Sequence, residues 1–478
     1  MELNPQTILE NIGMYEPPQA LILLKEVIDR SKSSEIRVQA LNYFETVDNQ
    51  QQFSYLEHLF LSDEDLEIRR HAGEILKQNY LKDKNLIPLL EFSLKNLQNW
   101  ELQFIALEIL NQINTAQSRK IIKQFLKQTI ESGFFKKKRE FPAEIFEEKY
   151  NHPISEELLE VCFQLILHDY YVNVCGYNAT IRNGVIILLD CEGLFLKRIP
   201  DIIGFSKLKY LEYLVLRRNQ IESLKGIEQF KKLKSLKIGE NYLRKIEYVG
   251  ELTDLEELDL SKNYIKKIQN LQNLSHLKTL ILEGNHIKKI EGLENLSHLD
   301  YLNLSHNSIE RIEGLNTLKN LRRLNLAHNK IEKIEGLESQ RMLYQLFLNN
   351  NQIQRIQGLD SLENVKRLNL SENQITNIEH MDELQNLINL ELSSNQIEEI
   401  TGLDKLRSLQ GLFLDNNHIT EIKGIRKLDG LITLFLKDNQ ISKFQDITFM
   451  KSLRYIFLND NPLCPESFKI YKKRFKFP

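Results

Sequence analysis

Cysteine is scarce in this chain, with four in 478 residues, at 162, 175, 191 and 464. Their spacing fits neither paired metal ligands nor a disulfide framework, and it points to a reducing compartment, the cytoplasm. No apolar run approaches the roughly 18 residues needed to span a bilayer. The apolar cluster Ala20-Leu21-Ile22-Leu23-Leu24 is too short and too late for a signal peptide, and the N-terminus is acidic. The net charge is −3, so no global field attracts nucleic acid or an acidic membrane surface. A phosphate-binding Gly-x-x-x-x-Gly-Lys-Ser/Thr loop, a Gly-x-Ser-x-Gly elbow and a His-Glu-x-x-His pair are all missing. These absences leave no motif for a cofactor, a metal or catalysis.

What the chain has is a ruler. Asn219, Asn241, Asn263, Asn285, Asn307, Asn329, Asn351, Asn373, Asn395, Asn417, Asn439 and Asn461 are spaced by 22 residues throughout. A fixed period in this range predicts a solenoid. Positions eight, five and three before each Asn are apolar in all twelve repeats, as in Leu343, Leu346 and Leu348. Ile or Leu follows the Asn by two positions, and in the first eleven rungs Ile follows by five, with Leu224 and Phe444 as exceptions. The alternation before the Asn predicts a short strand with its leucines inward. A single rung cannot bury these side chains; stacked rungs form a continuous core. The Asn amide carries donors and an acceptor, so in the same turn of every coil it can bond the backbone of adjacent coils. Seven after the Asn, Gly recurs at 226, 292, 314, 336, 358, 402 and 424, which predicts a turn with positive φ. Asn270 and Asp446 suit that turn, whereas Tyr248 and His380 predict distorted rungs.

The rung Leu-x-x-Leu-x-Leu-x-x-Asn-x-Ile-x-x-Ile-x-Gly-Leu resembles the leucine-rich repeat of the 22-residue class, over residues 208–478. It is similar to the repeat of the regulatory-subunit family of type-1 protein phosphatase. The resemblance implies an α/β horseshoe with parallel strands on a concave face, short turns or 3₁₀ segments on the convex side, and a protein partner across the concave face.

Both ends of the stack read as capped. Ile187, Leu189 and Leu194 resemble the start of a rung of 27 residues, with Glu192 in the Asn place. Before it, Asn183-Gly184 between β-prone residues predicts a hairpin or an edge-covering strand. Downstream, Asn461-Pro462-Leu463-Cys464-Pro465 stops the repeat, and 462–478 is expected to close it with a short helix over Glu466–Phe477.

Residues 1–132 follow helical periodicity. Three segments echo one another: Glu35-Ile36-Arg37-Val38-Gln39-Ala40, Glu67-Ile68-Arg69-Arg70-His71-Ala72 and Glu101-Leu102-Gln103-Phe104-Ile105-Ala106. They resemble HEAT-like helical hairpins, in which a small residue permits close packing; an ordinary helical bundle is the alternative. Residues 133–185 are expected to hold a charged linker through Pro153, with the Lys136–Arg139 run, then a helix capped by Ser155, then the hairpin. The leucine-rich repeats, about 12–13 rungs, occupy 186–478.

Surface columns decide function. Four before the Asn, a position facing out of the core holds Val215, Lys237, Asp259, Ile281, Asn303, Asn325, Phe347, Asn369, Glu391, Phe413, Phe435 and Phe457. Six before it stand Tyr213, Tyr301, Arg323, Arg367 and Tyr455 among smaller residues. The candidate protein-binding residues are therefore Phe347, Phe413, Phe435, Tyr455, Phe457, Tyr301, Arg323 and Arg367. A basic stripe, Lys245, Lys267, Lys289, Arg311, Lys333 and Arg355, runs beside glutamates that should largely neutralise it. His306 and His328 precede the ladder Asn in adjacent rungs and should stand side by side, but two histidines do not make a metal site. Two readings follow. One is a non-catalytic interaction scaffold or enzyme-regulatory subunit, with a phosphatase or a small GTPase as possible partner. The other is an enzyme with an unrecognised site in residues 1–185.

Overall fold

Helices open where a side-chain oxygen can accept a free backbone N–H of the first turn. Asp65 accepts from the N–H of Glu67 at 2.9 Å, Asn99 from Glu101 at 3.0 Å, and Ser155 from Leu158 at 3.2 Å. The computed structural model describes residues 4–47, 51–132, 152–444, 447 and 450–474. It forms two units, residues 1–187 and 188–478. The charged linker, with its Lys136–Arg139 run, and Asp446 lie outside the described residues.

In the first unit the helices are α1 (Pro5–Glu10), α2 (Pro17–Arg30), α3 (Ser34–Val47), α4 (Phe53–Ser62), α5 (Leu66–Asn79), α6 (Leu86–Asn96), α7 (Trp100–Ile113), α8 (Ala116–Ser132) and α9 (Glu156–Asp169). α2 packs on α3, α4 on α5 and α6 on α7, while α3 packs on α5 and α5 on α7, so the unit is a stack of helical hairpins. Ala40, Ala72 and Ala106 sit on those three inner helices and are wholly buried, which is why a small residue recurs there. Beside Ala72, a Cβ on Gly73 would lie 2.9 Å from the Phe60 ring and 3.0 Å from Ile105. The echoed segments carry a second regularity. Arg37 Nε donates to the Ile28 carbonyl at 2.6 Å, Arg69 Nε to Phe60 at 3.0 Å and Gln103 Nε2 to Leu94 at 3.2 Å. Each satisfies a carbonyl near the end of the preceding helix. β1 (Asn178–Arg182) and β2 (Val185–Asp190) flank Asn183 and Gly184, both at positive φ.

The second unit is a parallel solenoid. Twelve three-residue strands run from β3 (Tyr213–Val215) to β14 (Tyr455–Phe457), one per rung. Pairing keeps every column in register, as Leu324↔Leu346 and Leu346↔Leu368 illustrate. The inward leucines are fully or almost fully buried along the whole stack. Ten of the twelve ladder asparagines are buried. Asn329 shows why. Its Oδ1 accepts the Ile309 N–H at 3.0 Å, and its Nδ2 is shared among the carbonyls of Leu304 and Leu326 at 3.0 Å and Ala327 at 3.2 Å. One side chain thus satisfies backbone groups of two rungs.

Two expectations are corrected. The first concerns the entry rung. Leu189 pairs with Leu214, and Asn219 Nδ2 reaches the Cys191 carbonyl 28 residues back, where later rungs span 25. The Asn place of the first rung therefore falls on Leu194 and not on Glu192. The second concerns Tyr248 and His380, which adopt φ of 63° and 54° and keep the turn that Gly makes elsewhere. The rungs stay regular because the ladder bonds on either side fix the chain, and both side chains project outward. A further feature escaped the sequence reading. The residue just before each ladder Asn has positive φ in all twelve rungs, although only Gly284 is glycine. This conformation costs an L-residue roughly 1–2 kcal/mol, which the Asn bonds offset.

After the last rung comes α10 (Pro465–Arg474). Tyr471 is buried, and its hydroxyl donates to the Ile456 carbonyl at 3.1 Å. Ser467 Oγ accepts the Phe444 N–H at 2.9 Å.

Candidate functional site: the concave strand face

Alternation places residues six, four and two before each Asn on the outer side of the strands, away from the leucine core. The eight candidate residues all lie on that face, but they form separate groups. Tyr301 and Arg323 are register partners. The Arg323 guanidinium stacks 4.5 Å from the centre of the Tyr301 ring, and its Nη2 pairs with Asp300 at 3.1 Å. Burial pushes the Tyr301 hydroxyl above its ordinary range. Phe347 is half-buried between its register partners Asn325 and Asn369. Arg367 is exposed between Gln345 and Asn389.

The third group is continuous. Phe413 and Phe435 have ring centres 4.8 Å apart and planes within 14°; Phe435 and Phe457 are 4.4 Å apart and within 10°. The spacing follows from the strand repeat, which delivers one ring per rung. Each ring is half-buried by its neighbours and keeps one face or edge in solvent. Tyr455 stands beside the last ring, 54% exposed. Gly411 explains how Phe413 lies: a Cβ there would sit 3.0 Å from the Phe413 ring and 2.8 Å from Asn389 Oδ1.

Two carboxylates adjoin the strip, and the sequence reading did not single them out for this. Glu391 pairs in register with Phe413, and Asp415 follows Phe413 by two residues on the same outer face. Burial raises both above the ordinary carboxylate range. Glu391 accepts from Asn369 Nδ2 at 2.6 Å, and Asp415 Oδ1 from the Lys437 N–H at 2.7 Å. Among the described residues no cationic side chain lies within 4.0 Å of either; Lys437 Nζ turns instead to Asp438 at 3.7 Å and Asp460 at 3.5 Å. The only warning in the sequence was the acidic residue at the head of a Phe column. At the other end of the stack, by contrast, Asp259 is 1% exposed and is neutralised by an ion pair to Arg217 two rungs away.

Other surfaces are less concentrated. The basic stripe is neutralised in part: Lys245 pairs with Glu247 at 3.7 Å, Lys267 with Glu291 at 3.5 Å and Arg355 with Glu379 at 3.4 Å, with the cations exposed. His306 and His328 do stand side by side, 4.0 Å apart and within 10° of parallel. No group of three or more His, Cys, Asp or Glu suited to a metal occurs among the described residues. A groove of about 670 Å³ lined by Lys197, Arg198, Lys225 and Tyr242 lies at the first rungs. On the convex side, Asn320, Asn364 and Asn386 each donate to a carbonyl of the preceding rung at 2.8–2.9 Å, a second polar ladder. In the first unit, burial pushes the Cys162 thiol well above its ordinary range, which disfavours the reactive thiolate. No described helix is long and apolar enough to cross a membrane.

Comparison with known proteins agrees with this geometry. Residues 253–295, 297–339, 345–383 and 385–427 match the family model described as leucine-rich repeats in two copies. An internalin of Listeria monocytogenes is 26% identical, with 61% of this chain and 94% of that chain covered and a TM-score of 0.50. A leucine-rich-repeat protein of Leptospira interrogans is 28% identical over 58% of this chain and 79% of its own, with a TM-score of 0.50. The leucine-rich-repeat domain of APL1 is 22% identical over 61% and 78%, with a TM-score of 0.54, a likeness of fold alone. A search of curated proteins finds no match. The matched segments within residues 253–427 are leucine-rich repeats, and the Asn ladder and parallel strand register carry the same rung through the rest of the stack.

Proposed function

We propose that this protein is a non-catalytic interaction scaffold, or the regulatory subunit of an enzyme, that binds a protein partner on the concave face in the cytoplasm. The observation that carries the reading is the Phe413–Phe435–Phe457 strip. Three parallel rings project from a face whose core columns are already filled by leucine. A contiguous apolar patch of this kind usually marks an interaction site, and aromatic side chains are enriched at interface hot spots. Tyr455 extends the patch, and the Tyr301–Arg323 pair and Arg367 supply polar contacts further along the same face. The repeat's similarity to phosphatase regulatory subunits makes a phosphatase the first partner to test and a small GTPase the second.

The test compares pull-downs by the wild-type chain and by the Phe413→Ser/Phe435→Ser variant, with calorimetric titration of each purified partner found. The reading expects a partner that binds the wild type and is lost from the variant. Equal binding to both would overturn the assignment to the strip.

A further inference from the structure

The strip's two flanking carboxylates differ from the ion-paired acidic groups of the stack. Surface glutamates such as Glu240 and Glu256 pair with lysines and are held below their ordinary range by them. Asp259 is deeply buried but carries its own arginine. Glu391 and Asp415 are half-buried and have no cation within ion-pair distance among the described residues, though each keeps one oxygen that makes no hydrogen bond there. Arg367 acts on Glu391 and Lys437 on Asp415 from beyond ion-pair distance, and burial outweighs both; a half-buried carboxylate compensated only in part is unfavourable in the free protein, and an incoming cation relieves it.

Resting on the reading of the strip as a binding surface, we infer that its occupant is a protein segment of mixed chemistry, with a large apolar side chain laid on the Phe413, Phe435 and Phe457 rings and an adjacent Lys or Arg reaching Glu391 and Asp415. The geometry sets the order. Glu391 heads the ring column and Asp415 flanks it, so the cation lies at the Phe413 end and the apolar side chain toward Phe457. An Arg brings more donors than a Lys to the open oxygens of Glu391 and Asp415. An acidic segment is disfavoured at the same place by like-charge repulsion.

The test selects short random peptides displayed on phage against the full chain and measures each recovered sequence, as a synthetic peptide, by fluorescence anisotropy. Glu391→Gln and Asp415→Asn keep the acceptor oxygens used by Asn369 and the Lys437 N–H, so the double variant retains the local bonds. The inference expects peptides that pair an aromatic or aliphatic residue with Lys or Arg. Their affinity should fall at least about ten-fold against the double variant, and likewise when the peptide's own cation is replaced by Gln. Peptides that need Phe413 and Phe435 but are indifferent to both charge changes would overturn the inference and leave the strip reading intact. Selection of acidic peptides at the strip would overturn it as well. If no recovered peptide is weakened by Phe413→Ser/Phe435→Ser, the strip reading fails and the inference with it.

Discussion

The Phe435 ring lies 4.4 Å from that of Phe457, with the two planes within 10° of parallel. Rings this close stabilise each other a little, about 0.5–1.5 kcal/mol per pair. They do not fill the core, because Leu434 and Leu436 on either side of Phe435 already do. That separation of roles, leucine for folding and phenylalanine for the surface, organises the expected outcomes below.

Asn329→Ala removes an acceptor for the Ile309 N–H and a donor shared by three carbonyls. Buried groups left unpartnered cost about 1–3 kcal/mol. The urea midpoint should fall by a corresponding amount, and that of the neighbouring Lys330→Ala should barely move. Equal shifts would remove the structural role of the Asn column.

Gln340 occupies a column that is otherwise apolar, alongside Leu318 and Leu362. It is wholly buried; its Nε2 donates to the Leu315 carbonyl at 2.6 Å, and its Oε1 has no partner. The Leu315 carbonyl also accepts the Leu318 N–H at 2.9 Å, so it stays satisfied without Gln340. Gln340→Leu should therefore stabilise the chain by about 1 kcal/mol, read as a higher urea midpoint. A lower midpoint would mean that the amide makes a contribution this packing does not reveal.

Glu391 gives a pH dependence with a definite sign. Burial raises its carboxyl in the folded protein, so the folded state binds the proton more tightly than the unfolded state does. Stability then falls as pH rises from the unfolded value of about 4.3 through the folded value, and the loss is complete above it. Glu391→Gln abolishes that loss and keeps the Asn369 bond. By scanning calorimetry the variant should melt above the wild type at neutral pH, and the difference should close by about pH 3. A variant that melts lower at neutral pH would show that the charge is already compensated.

The legible part of the molecule was the part fixed by repetition. Apolar residues eight, five and three before the Asn, Ile after it and Gly further on are chemical demands of one rung, and repetition makes them plain. The Phe column was legible for the same reason. Elements set by geometry were not. The place of Leu194 depends on a ladder bond three residues longer than the rest, and no residue type announces it. Tyr248 and His380 sit in a left-handed turn because neighbouring rungs impose it, against their own preference. The state of Glu391 depends on what lies around it, which a column of one-letter identities does not carry. In the helical unit the three alanines were visible, whereas the Arg37, Arg69 and Gln103 bonds that recur with them required coordinates.

The most direct test measures affinity and stability together in the Phe413→Ser/Phe435→Ser variant, using a binding protein or peptide captured by the wild type. If the strip is a docking surface, affinity should fall by about 2 kcal/mol or more, while the thermal midpoint drops far less than in Leu434→Ala, where a core cavity costs about 2–5 kcal/mol. A midpoint as low as that of Leu434→Ala, with affinity unchanged, would make the three rings internal packing and contradict the account.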